Sequence, residues 1–150
     1  MTAVKTAAEI WRRRLRDRLA TEAEVKAWAD HLIDETGRPD TWLIDVSTAA
    51  GRSELNVALE LAPGDAEGRA VFGGLMASYR DLLDRRPDLD SKIAKVLYGM
   101  YLDEDVPIEE TLGEMASFWD GIDLARDGVF DLETERRKLR AFLERWSRQD

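Results

Sequence analysis

Glu110, Glu114, Asp120 and Asp123 are the residues whose type and spacing could do chemistry. Separations of four and three put the two members of each pair on one helix face. Carboxylate oxygens suit a hard divalent cation such as Mg²⁺ or Mn²⁺. The four belong to a longer acidic stretch. From Asp103 to Asp123 the chain carries Asp103, Glu104, Asp105, Glu109, Glu110, Glu114, Asp120 and Asp123, and not one Lys or Arg. A single-sign field of that kind attracts cations or a basic partner.

The metal reading has a pattern to meet. All-helical nucleotide pyrophosphohydrolases gather Mg²⁺ with an E-E-x-x-E cluster and an E-x-x-D on a second helix. Here Glu109-Glu110-Thr111-Leu112-Gly113-Glu114 has one residue too many before its third acid. Asp120-Gly121-Ile122-Asp123 is expected on the same helix, not a facing one. A Mg/Mn-dependent all-α nucleotide hydrolase using these four acids is therefore the alternative, and no cofactor is assigned.

Other chemistries are excluded more simply. The one histidine, His31, directly precedes Leu32-Ile33, and no Gly-x-Ser-x-Gly accompanies it, so a Ser-His-Asp triad has no support. His31 and Glu35, four apart, are expected as a surface pair. Cysteine is absent, which removes thiolate metal sites, disulfides and cysteine nucleophiles and points to an intracellular, cytoplasmic protein. Gly73-Gly74 fits no phosphate-binding loop. A net charge of −9 opposes nucleic-acid binding, which needs cationic side chains against phosphate. Nothing in the sequence approaches a run long and apolar enough to span a bilayer. The basic clusters Arg12, Arg13, Arg14, Arg16, Arg18 and Arg136, Arg137, Lys138, Arg140 are expected to solvate the terminal helices or pair with the acidic middle.

The elements that must position these residues read as helices. An apolar fraction of 44% and five Trp residues indicate a folded chain with a real core. The first helix is expected over Ala3 to Leu19. Thr21-Glu22-Ala23-Glu24 forms a capping box for a second, which carries Val25, Trp28, Ala29, Leu32 and Ile33 and stops at Gly37. Asp40 caps a short apolar helix around Trp42–Val46, and Ser53 the next, with Leu55, Ala58, Leu59 and Ala62. Asp65 leads into Phe72, Leu75, Met76, Tyr79, Leu82 and Leu83, with Gly73-Gly74 pointing to close approach of another helix. Asp90 or Ser91 caps the stripe Ile93, Val96, Leu97, Met100. Pro107 takes a first helical position ahead of Ile108, Leu112, Met115 and Trp119. Gly128 breaks the chain, and Asp131 starts a last helix with Leu139, Phe142, Leu143 and Trp146 inward. Leu89 and Val129-Phe130 are expected to dock on the core. The whole predicts an all-α, compact single-domain array of about seven to eight short helices over residues 1–150.

In that frame Asp103, Glu104 and Asp105 ahead of Pro107, with Glu109 and Glu110 in the next first turn, would complement the positive end of a helix dipole. Glu114, Asp120 and Asp123 are left without such a reason. The segments Ala27-Trp28-Ala29-Asp30-His31-Leu32-Ile33 and Pro39-Asp40-Thr41-Trp42-Leu43-Ile44-Asp45 resemble small acidic helical bacterial proteins of immunity or uncharacterised type. The likeness covers the first third of the chain and forms no strict motif. It implies a non-catalytic protein-binding domain that covers the cationic cleft of a basic protein partner. Under that implication Asp103, Glu104, Asp105, Glu109, Glu110 and Glu114 are the contact residues.

Overall fold

The computed structural model describes residues 2–103 and 105–148, and Glu104 of the acidic stretch lies outside the described residues. Among those described there are eight α-helices and no strand. They divide into two compact units, Met1–Glu67 and Gly68–Asp150. No helix among them is long and apolar enough to cross a membrane.

In the first unit α1 (Thr2–Arg16) packs on α4 (Arg52–Glu60), and α2 (Glu22–Thr36) on α3 (Thr41–Thr48), which also meets α4. Ala8, Leu15, Val25, Ala29, Trp42, Val46, Leu55 and Leu59 form the shared core. One indole from each of three helices adds to it: Trp28 stands 6.2 Å from Trp11 and 6.1 Å from Trp42, both pairs tilted. The capping box is present, with Thr21 Oγ1 accepting from the Glu24 N–H at 3.1 Å and the Thr21 N–H donating to Glu24 Oε1 at 3.0 Å. Gly37 ends α2 at φ 68 and donates to the Ile33 carbonyl, the left-handed stop its position predicts. The short Trp42–Val46 segment is helical, with Asp40 at the N-cap position but no side-chain bond from it. Two boundaries differ from expectation. The first helix ends at Arg16 instead of Leu19, and Gly51, not Ser53, occupies the N-cap of α4.

The second unit comprises α5 (Gly68–Arg85), a 3-10 turn at Pro87–Leu89, α6 (Asp90–Leu102), a second 3-10 turn at Glu109–Thr111, α7 (Leu112–Arg126) and α8 (Leu132–Trp146). Here too the first helix packs on the fourth, the second on the third, and the third on the fourth. Phe72, Leu75, Met76, Leu97, Met115, Ile122, Leu139 and Phe142 are buried, and Phe118 meets Phe142 edge-on at 5.1 Å. Gly73 is buried inside α5. Pro107 is not the first helical residue. Ile108 is extended, the Glu109–Thr111 turn follows, and α7 opens only at Leu112.

The α7–α8 connection closes by two bonds. Gly128 N–H donates to Ala125 O at 3.1 Å and Val129 N–H to Leu124 O at 2.9 Å, with Gly128 at φ 84. This is the Schellman arrangement, which satisfies carbonyls that a helix end leaves open. Val129, expected to dock on the core, is 62% exposed instead, and Phe130 is exposed beside it. An apolar residue at that position accompanies the motif through contact with the helix end. The same two bonds close α1, from Arg18 N–H to Leu15 O and Leu19 N–H to Arg14 O, with Arg18 at φ 58 in the place Gly128 holds. Gly128→Ala is expected to cost about 1 kcal/mol through its left-handed backbone, since a Cβ there meets nothing within 4 Å. Urea denaturation of the two proteins side by side measures it.

Candidate functional site

The acidic stretch is built around two buried anchors. Ile108 is drawn into the core, and Thr111 Oγ1 donates to the Ile108 carbonyl at 2.7 Å, as does the Thr111 N–H at 3.1 Å. With both ends of that 3-10 turn fixed inward, Glu109 and Glu110 have only the outside to occupy, and both are exposed. Glu114 follows in the first turn of α7 and is exposed, as are Asp103 and Asp105 on the connection before the turn. Among the described residues no ion pair covers Asp103, Glu109 or Glu110. Glu114 has one distant cation, Arg145 at 3.9 Å, with both side chains largely in solvent.

Helix electrostatics account for only part of this arrangement. Glu109, Glu110 and Glu114 sit at the start of α7, where negative charge is favourable. Asp103 and Asp105 do not lie at a helix start, contrary to the expectation from Pro107. Their N–H groups close the C-terminal end of α6, donating to Gly99 O at 3.0 Å and Met100 O at 3.1 Å. Carboxylates at that end oppose the dipole, and no basic residue stands in the last turn of α6 to offset them. Their placement works against helix stability.

The metal reading loses its geometry. Asp120 and Asp123 are exposed further along α7. Among the described residues no three acidic or histidine side chains, Glu110 and Glu114 included, come together as a possible ligand set. His31 lies on the surface with Nε2 3.0 Å from Glu35, the pair its spacing predicts.

Sequence reasoning missed the buried charge that organises the second unit. Asp90, read as a possible cap, is 0% exposed. Its carboxylate takes Arg136 Nε at 2.6 Å, the Arg126 guanidinium, and the Ser91 N–H at 2.7 Å. The signal was available: Asp90 stands three and seven residues before Ile93 and Leu97, on their apolar stripe. Asp90 holds the Arg136 pKa above its ordinary value, chiefly through their hydrogen bond. Arg140 likewise grips Asp84 at 2.8 and 3.0 Å and draws that carboxyl below its usual range. Arg136 and Arg140 of α8 thus pair with acids of α6 and α5, as the expected pairing with the acidic middle of the chain has it, while Arg145 lies 3.9 Å from Glu114 of the acidic stretch. In the first unit Arg13 and Arg14 do not solvate α1 but are buried, Arg14 lying 4.6 Å over the Trp11 ring and donating to Leu19 O.

Comparison of the chain with family models, with curated proteins and with solved structures finds no match.

Proposed function

We propose that this chain is a non-catalytic binding domain that meets a basic protein partner with the acidic face of residues 103–114, in the manner of an immunity protein or inhibitor. The observation that carries the reading is the position of Asp103 and Asp105 at the carbonyl end of α6, where carboxylates oppose the helix dipole. Surface charge held against local stability has a reason outside the helix. Glu109, Glu110 and Glu114 extend the same sign across the adjoining turn, and among the described residues the cation facing them is Arg145, 3.9 Å from Glu114. Carboxylates in that arrangement replace phosphate oxygens in a cationic cleft and speed encounter by steering.

The test follows from the steering. The immobilised chain first retains its partner from host lysate. The Glu110→Lys, Glu114→Lys double variant is then expected to associate with that partner at least about tenfold more slowly at low salt. The gap should close as salt is raised, because screening removes the steering that only the parent protein has. Equal association rates for parent and variant at low salt would remove the reading.

A further inference from the structure

Three aromatic rings meet at the surface of the α6–α7 pair. Tyr98 lies 5.3 Å from Trp119 and 6.0 Å from Tyr101, both pairs tilted. The core side of the same two helices is filled by Ile93, Leu97, Met100, Met115, Phe118 and Ile122, all buried. The three rings are only half-buried. Leu102, four residues after Tyr98 and so on the same helix face, is 58% exposed. Among the described residues the Tyr98 and Tyr101 hydroxyls and Trp119 Nε1 make no hydrogen bond. Ring area and polar ends are left to solvent, the combination that suits Tyr and Trp to an interface.

Carboxylates border the rings. Asp103 follows Leu102 at the end of α6, Asp120 follows Trp119, and Asp123 stands one turn beyond it on α7. All three are exposed, and among the described residues none of them has an ion pair. The face of an aromatic ring attracts a cation. Trp119 already shows this, with Lys95 Nζ 5.7 Å from its ring centre. A guanidinium gains more here than an ammonium. It is planar, lies flat on a ring, and still turns a fork of donors to a carboxylate alongside. We infer, resting on the acidic-face reading, that the basic partner is held by arginines stacked on Tyr98 and Tyr101, with their forks toward Asp103 and Asp120. An apolar partner would bury these carboxylates unpaired, and a second copy would set them against their own kind.

Nona-arginine and nona-lysine carry equal charge, so the difference between them isolates the rings. Fluorescence anisotropy of the two labelled peptides at low salt makes the test. The parent protein is expected to bind nona-arginine about threefold or more tighter than nona-lysine. The Tyr98→Leu, Tyr101→Leu variant, with an unchanged far-UV spectrum, is expected to bind both peptides alike, at the parent's nona-lysine level. Lys95→Ala, at an exposed residue, removes the resident cation and should widen the preference. Glu110→Lys, Glu114→Lys should weaken both peptides and keep the preference between them. A parent protein that binds the two peptides equally overturns the arginine assignment and leaves the acidic-face reading standing. So does a preference that survives loss of both tyrosines, or one that narrows in Lys95→Ala. A parent protein that binds neither peptide removes the acidic-face reading along with it.

Discussion

Asp90→Ala is expected to destabilise the second unit by about 3 kcal/mol, the low end of the range for breaking a buried ion pair. The carboxylate is wholly out of water and takes donors from α7 and α8, together with the N–H of its own neighbour. Removing it takes this acceptor from two guanidiniums and leaves Arg126 with Ser91 Oγ and Arg136 with Glu133. The loss stays at the low end because Arg126 and Arg136 retain partial contact with solvent and can recover hydration. Asp90→Asn, which keeps the shape and some of the hydrogen bonds but not the charge, should fall between the parent and alanine. Urea unfolding followed by circular dichroism measures all three proteins. An alanine variant as stable as the parent would mean that the two arginines do not depend on this carboxylate.

Trp28→Ala is expected to cost the first unit about 2–3 kcal/mol, less than a fully buried Trp because its ring is half-buried. Trp28 is the middle of the three rings, so its removal ends two aromatic contacts at once and separates Trp11 from Trp42. Each such contact contributes about 0.5–1.5 kcal/mol beyond the area it buries. Trp28→Phe, which keeps one ring of smaller area, should lose roughly half as much. Near-ultraviolet circular dichroism provides a second readout, since three of the five indoles stand in this row and their mutual orientation shapes the signal. An intact aromatic signal in the alanine variant would contradict the row.

Most of the helices were legible because their determinants are local. Thr21 and Glu24 satisfy each other within one turn, Gly37 needs only its own left-handed backbone, and Asp131 accepts from the Thr134 N–H three residues on. Apolar stripes such as Leu75, Met76, Tyr79 and Leu83 act over the same short range. Where two local signals competed, one misled. Pro107 suits a helix start, yet burial of Ile108 and the bond from Thr111 delay the helix to Leu112. That delay moved Asp103 and Asp105 from a helix beginning to a helix end and reversed the sense of their charge.

From the sequence alone came an all-helical chain, its caps and stripes, and an acidic stretch without a cation, because these rest on neighbours within a few residues. The tertiary structure decided which charges are spent inside the fold. Arg126 and Arg136 reach Asp90 across 36 and 46 residues, and Arg140 reaches Asp84 across 56. No local pattern announces such pairings, since they exist only once particular helices have packed. Of the arginines that charge counting would send to the acidic face, Arg136 and Arg140 are held at Asp90 and Asp84, while Arg145 lies 3.9 Å from Glu114.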